Sequence, residues 1–145
     1  MRYEKSCGAV LVDTREESPK FLVIEQIAKD GMRYWSFPKG HVQAEENERI
    51  TAKREVARET GLDVEFVGEF RSEIRYAPHP DVMKTVVLFL GKSENPDALS
   101  INPKDIASYA WLELDQARDR LKFEDMKDVL EEADAYLRDF EDEET

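Results

Sequence analysis

The order of elements along the chain predicts an α+β protein with a mixed β-sheet packed between helices. Strand-like segments come first, one charged helical segment interrupts them, further strands follow, and an amphipathic helix ends the chain. Two segments are decisive. Glu46 to Thr60 has no internal glycine or proline and is followed by Gly61, as a helix with a C-cap glycine should be. Phe21-Leu22-Val23-Ile24 is apolar at every position, as a strand buried on both faces requires.

The elements follow in order. Ser6 to Val12 reads as the first strand. Asp13 to Lys20 is a charged loop containing Pro19. After Phe21–Ile24, Lys29-Asp30-Gly31 forms a turn, and Tyr34-Trp35-Ser36-Phe37 a short strand ended by Pro38. In the charged helix, Ile50, Val56 and Ala57 recur near helical spacing. Leu62 to Tyr76 suits strands, and Ala77 to Asp81 a loop. Thr85 to Leu90 is an apolar strand and Ser108 to Leu112 a short one. In the last helix, about Phe123 to Phe140, an apolar stripe runs through Phe123, Met126, Val129, Leu130, Ala133 and Leu137.

At 145 residues the chain has the size of one domain, residues 1–145, with enough length to bury a core. No repeat or low-complexity linker divides it. The formal net charge of −12 argues against a nucleic-acid partner, because phosphate contacts on a duplex need lysine and arginine. A small anionic substrate would need a metal ion or a local basic cluster. Part of the acidic excess sits in Glu141-Asp142-Glu143-Glu144, read as a solvated tail. Cys7 is the only cysteine, so an intrachain disulfide is ruled out. No apolar stretch suggests a signal segment or a membrane span, and a cytoplasmic location is the expectation.

The charged helix carries Glu46, Glu48, Glu55 and Glu59. At 100° per residue, Glu55 and Glu59 lie about 40° apart on one face. Glu48 lies about two turns before Glu55 on the same side. Paired carboxylates on a rigid helix suit a hard cation that prefers oxygen ligands. A solvated face paired with lysine and arginine is the commoner outcome of such a pattern. Spacing alone leaves both readings open.

The stretch from Gly40 to Leu62 carries more. It runs Gly40-His41-Val42-Gln43-Ala44-Glu45-Glu46, then seven residues, then Arg54-Glu55-Val56-Ala57-Arg58-Glu59-Thr60-Gly61-Leu62. This resembles the Nudix box: Gly, five residues, Glu, seven residues, Arg-Glu-apolar-any-Glu-Glu-any-Gly-apolar. Gly40, Glu46, Arg54, Glu55, Val56, Glu59, Gly61 and Leu62 fall on its fixed positions, and Arg58 stands where the first glutamate of the adjacent pair belongs. Trp35 to Val42, Phe70 to Tyr76 with Lys84-Thr85-Val86, and Tyr109-Ala110-Trp111-Leu112 with Phe123 to Lys127 are similar to the diadenosine tetraphosphate hydrolase branch.

The resemblance implies a Nudix fold, an α/β/α sandwich, and Mg²⁺-dependent (alternatively Mn²⁺-dependent) hydrolysis of a pyrophosphate bond in a nucleotide. Diadenosine tetraphosphate, split to ATP and AMP, is the leading substrate. Another nucleotide-type substrate is the alternative: a nucleoside triphosphate, ADP-ribose, a diphosphoinositol phosphate or an RNA 5′ end. A non-catalytic nucleotide-binding domain is the third. By the resemblance, Glu55, Glu59 and the Gly40 carbonyl are metal ligands, and Glu46 and Arg54 support them. Lys39, His41 and Lys84 line the phosphate path, Tyr76 and Phe123 match positions that could sandwich a base, and Asp105 is a further acid or base. A monomer or homodimer is expected. Arg58 puts +1 where the pattern has −1. At an effective dielectric of about 20, unit charges ~5 Å apart interact by about 3 kcal/mol. Weaker metal affinity or fewer bound ions, rather than inactivity, is the expected consequence.

Overall fold

The computed structural model describes residues 1–144. It contains seven strands: β1 (Arg2–Asp13), β2 (Lys20–Ile27), β3 (Arg33–Ser36), β4 (Lys39–His41), β5 (Glu65–His79), β6 (Val82–Lys92) and β7 (Ile106–Leu112). Three α-helices accompany them: α1 (Glu48–Thr60), α2 (Leu114–Arg120) and α3 (Glu124–Glu144). One turn of 3-10 helix spans Pro96–Ala98. The sheet runs β3-β2-β1-β6-β5, with β4 added on β1 and β7 on β2. β1 and β6 pair in parallel and the other pairings are antiparallel, so the sheet is mixed, as expected. Among the described residues no helix is long and apolar enough to cross a membrane.

Strand alternation divides the core in two. Val10 and Val12 of β1, Phe21 and Val23 of β2, and Val86, Leu88 and Leu90 of β6 face one side, where α2 and α3 cover them. Ala9 and Leu11, with Leu22 and Ile24, face the other side against Val56 of α1. Val87 and Phe89 meet Ala52 of α1 beside the buried Cys7. The fully apolar run of β2 is therefore buried on both faces, and the layers are those of an α/β/α sandwich.

Several boundaries differ from the sequence expectations. α1 begins at Glu48, because Asn47 caps it by accepting a hydrogen bond from the Ile50 N–H at 2.8 Å. Gly61 ends it in the left-handed region at φ 71°. The expected loop over 77–81 is shorter, because β5 continues to His79 and turns at once into β6. Three short elements were not placed from sequence: β4, the 3-10 turn at Pro96–Ala98, and the seven-residue α2. All are too short to show a period.

The apolar pattern of α1 also misled. Ile50 is 50% exposed, while Glu55 and Glu59 are only 5% and 2% exposed. Ala57 faces solvent as well. This helix buries carboxylates and exposes an isoleucine. The stripe of α3 behaves as expected from Met126 to Leu137, but Phe123 precedes the helix and is 46% exposed.

Leu130 of α3 is fully buried in the cluster on the face opposite α1. Leu130→Ala should lower the unfolding free energy by about 2–5 kcal/mol. Urea denaturation checks this. Leu130 lines neither the carboxylate cleft nor the aromatic cavity, so turnover per folded molecule should change little.

Candidate active site

The buried carboxylates of α1 face the strand β4 and the end of β2. Antiparallel pairing of β4 with β1 puts Gly40 opposite Cys7 and Lys39 opposite Gly8. A Cβ on Gly40 would run into the Glu55 carboxyl group, so only glycine lets this strand approach α1 so closely. Glu59 is tied to β4 and β2: its Oε1 accepts from the Lys39 N–H at 2.8 Å, and its Oε2 accepts from Gln26 Nε2 at 3.0 Å.

Two arginines hold Glu55. Arg54 donates from Nη1 to Glu55 Oε1 at 2.6 Å, and Arg58 from Nε to Glu55 Oε2 at 2.7 Å. Arg54 in turn is fixed by Glu46, through Nε to Oε2 at 2.6 Å and Nη2 to Oε1 at 2.9 Å, and by the His41 carbonyl at 3.0 Å. Glu46 also accepts from Thr51 Oγ1 at 2.8 Å and from the Gln43 N–H at 3.0 Å. These bonds from Arg54 and Gln43 hold its carboxyl down at about 2. Glu46 is thus an ionised brace that sets Arg54, which sets Glu55. Glu48 lies elsewhere, paired with Lys5 at 2.6 Å and Arg71 at 2.8 Å.

Around these groups is an open cleft of about 400 Å³. Lys39, Gly40, His41, Glu55, Arg58, Glu59, Lys84 and Asp105 all line it. A second, more apolar cavity of about 410 Å³ is lined by Tyr34, Lys39, Ile74, Tyr76, Lys84, Phe123, Asp125 and Met126. Tyr34, Lys39 and Lys84 line both, so the two spaces adjoin. Every residue selected from sequence except Glu46 and Arg54 lines one of them, and those two bond the liners from behind. Tyr76 and Phe123 are 42% and 46% exposed, so neither is a core aromatic.

Sequence reasoning missed Tyr34 and Gln26. Tyr34 packs edge-on against Phe123 at 5.7 Å between centroids and lies under Lys39 Nζ at 5.5 Å. Gln26 meets Glu59 across 33 residues, a contact without a local signature.

The electrostatics turn on Glu59. Burial pushes its carboxyl up to about 7, against the hydrogen bond from the Lys39 N–H and the charges of Lys39 and Arg58, which lower it. Burial likewise lowers the Lys39 ammonium, while the Glu59 charge raises it. Two buried carboxylates beside a backbone strand make a donor set of hard oxygens, and the carboxylate that burial keeps from ionising is one that a cation would stabilise. Among the described residues, no three His, Cys, Asp or Glu side chains converge as a ready-made cation cage. The third nearby carboxylate, Asp105, is held by Arg58 Nη1 at 2.6 Å.

This arrangement matches a known family. The NUDIX domain model covers residues 2–133, and the chain belongs to that family. Its likeness reaches particular enzymes. It is 31% identical over 142 residues to the asymmetrical bis(5′-nucleosyl)-tetraphosphatase of Sus scrofa, covering 92% of this chain and 95% of that one. It is 33% identical over 143 residues to the Rattus norvegicus enzyme of the same name, with the same coverage. In fold it is similar to the Ap4A hydrolase of C. elegans in a binary complex, with TM-score 0.83 over 93% of this chain and 98% of that one at 24% identity. The NUDIX domain of Shewanella oneidensis NrtR, complexed with ADP-ribose, shares the fold at TM-score 0.75 and 17% identity, covering 94% and 90%. The chain is a Nudix hydrolase, similar to asymmetrical bis(5′-nucleosyl)-tetraphosphatases, and its class of reaction is hydrolysis of a pyrophosphate bond. Members of this family generally use divalent metal ions and bind small nucleotides.

The Glu59 shift has a measurable consequence without metal. Between its ordinary value of 4.5 and about 7, the unfolded chain has released a proton that the folded chain still holds. Unfolding free energy should therefore fall as pH rises through that window and level off above it. Glu59→Gln should remove that component of the pH dependence. Urea titrations from pH 4 to 8 in chelator would reveal it, and an unchanged pH profile in the variant would contradict it.

Proposed function

We propose that this protein hydrolyses diadenosine tetraphosphate asymmetrically to ATP and AMP, with Mg²⁺ or Mn²⁺ as the metal. The observation that carries this reading is the junction of two unlike spaces. A carboxylate- and lysine-lined cleft opens into an aromatic cavity through the shared residues Tyr34, Lys39 and Lys84. A nucleotide has the same two halves, an anionic phosphate chain and a flat base. The chain's identity to two named asymmetrical tetraphosphatases, each matched over nearly its full length, supports the choice of substrate.

In this reading Glu55, Glu59 and the Gly40 carbonyl would hold the cation, which would supply charge to neutralise phosphate oxygens and lower the pKa of a bound water. The remaining work falls to the chain. Glu46 fixes Arg54, and Arg54 fixes the direction of Glu55, so the ligand oxygens are set before substrate arrives. Lys39, Lys84 and His41 present N–H donors to the phosphate chain. Lys39 is itself positioned by Gln26 Oε1 at 2.8 Å. Tyr76 and Phe123 flank the base, with Tyr34 as the floor between them and the cleft. Asp105, half-exposed at the rim, holds Arg58 in place.

Chromatography of the products from diadenosine tetraphosphate, ATP, ADP-ribose and a diphosphoinositol phosphate in Mg²⁺ buffer tests the proposal. Equal amounts of ATP and AMP from the first substrate are expected, with little turnover of the others. Glu55→Gln should cut the rate by more than about 100-fold, since losing a ligand costs at least as much as losing its outer partner. Two ADP molecules from the first substrate, or faster turnover of another, would reassign the reaction.

The base-binding half has its own test. Stacking on one aromatic is worth about 1–3 kcal/mol per base, so Tyr76→Ala and Phe123→Ala should each raise KM by about 5- to 150-fold while kcat changes little. A fall in kcat with KM constant would instead place these rings away from the base.

A further inference from the structure

At position 58 this chain differs from the Nudix box by two units of charge, from −1 to +1, and two units is the charge of one divalent cation. The surroundings of Arg58 show how that charge is used. Its Nη2 lies 2.6 Å from Glu55 Oε2 and 3.9 Å from Glu59 Oε2, and its Nη1 lies 2.6 Å from Asp105 Oδ2. One guanidinium thus sits among the three carboxylates of the cleft. With Lys39 and Lys84, the cleft wall carries three cationic side chains against three carboxylates. With glutamate at 58 the same wall would be left strongly negative.

We infer that the Arg58 guanidinium is a built-in replacement for one divalent cation, so that this site takes up one metal ion fewer than it would with glutamate at position 58. The inference rests on the proposed reading of Glu55 and Glu59 as cation ligands. Guanidinium suits the task. It stays charged at any working pH, is weakly hydrated, and its planar fork matches carboxylate and phosphate oxygens. Asp105 acts as the anchor. It comes from the segment before β7 and pins the guanidinium across the cleft mouth, 47 residues away in sequence. Without that anchor only Glu55, on the same helix, would hold the partly exposed side chain of Arg58.

Counting bound Mn²⁺ by electron paramagnetic resonance, without nucleotide, tests the inference independently of any substrate. The variants are Arg58→Glu, Arg58→Gln and Glu55→Gln, with circular dichroism and thermal melting as folding controls. Arg58→Glu should bind one more Mn²⁺ per chain than the unaltered protein. Arg58→Gln, which removes the charge without adding a ligand, should keep the count and tighten affinity about tenfold, and it serves alone should the glutamate variant fail to fold. Equal counts in Arg58→Glu, or unchanged affinity in Arg58→Gln, would overturn the inference while leaving the proposed reaction standing. Mn²⁺ binding unaffected by Glu55→Gln would remove the ligand assignment itself, and the inference with it. If Arg58 were only a structural clamp between α1 and the segment before β7, the variants would melt lower and bind Mn²⁺ as before.

Discussion

The structure depends on burying two carboxylates, Glu55 and Glu59, on the face of a helix that a soluble protein would ordinarily fill with leucine and valine. Taking an ion out of water costs several kcal/mol even after relaxation. Much of the local architecture can be understood as offsetting that cost. Arg54 and Arg58 take the two oxygens of Glu55, and a main-chain N–H and an amide take those of Glu59. The offset for Glu59 is incomplete, since burial still dominates its titration. A carboxylate left partly uncompensated in this way favours the approach of a cation. Gly40 follows from the same constraint, because the strand that supplies the main-chain N–H must pass where a Cβ would strike Glu55.

A helix with such a face contributes little apolar burial, and the rest of the fold carries the stability. Strand alternation lets it do so. One set of side chains from β1, β2 and β6 points away from α1 into the large cluster under α2 and α3. The other set meets α1 only around Ala52 and Val56. The sheet thus separates a stabilising face from a chemical one. The aromatic cavity lies where the two regions meet, with Phe123 just before α3, Met126 from its first turn and Tyr76 from β5.

How much of this was legible in the sequence differed from element to element, for physical reasons. The strands of the sheet were readable because runs such as Phe21–Ile24 have no other stable placement in water. α1 was readable as a helix from its uninterrupted length and Gly61, but not in its orientation. Apolar periodicity pointed to Ile50, which is exposed, because the buried face is chosen by chemistry and not by hydrophobicity. The functional face came instead from the fixed spacing of Gly40, Glu46, Arg54, Glu55 and Glu59. Lys84, Tyr76 and Phe123, each alone an ordinary residue type, were selected by resemblance, and the structure places them around the cleft and cavity. Gln26 and Tyr34 were beyond reach, since their importance comes from contacts across the sheet that no local pattern encodes. β4 has only three residues, too few for a period of two to be seen.

The overall charge of the chain raises a last question, since a protein of formal charge −12 must admit a polyanion. At physiological ionic strength the Debye length is about 8 Å, so acidic groups on distant surfaces are largely hidden from a substrate at the cleft. On the proposed reading, what a phosphate chain would meet is the local set. There Lys39, Lys84 and Arg58 face Glu55, Glu59 and Asp105, and a bound cation tips the balance to positive. The distant acidic surface then acts against longer anions more than short ones. An RNA extends well beyond the cleft and would feel charge that a small nucleotide does not. Local cationic groups inside an acidic shell therefore favour a compact substrate, in keeping with a cleft and a cavity of about 400 and 410 Å³.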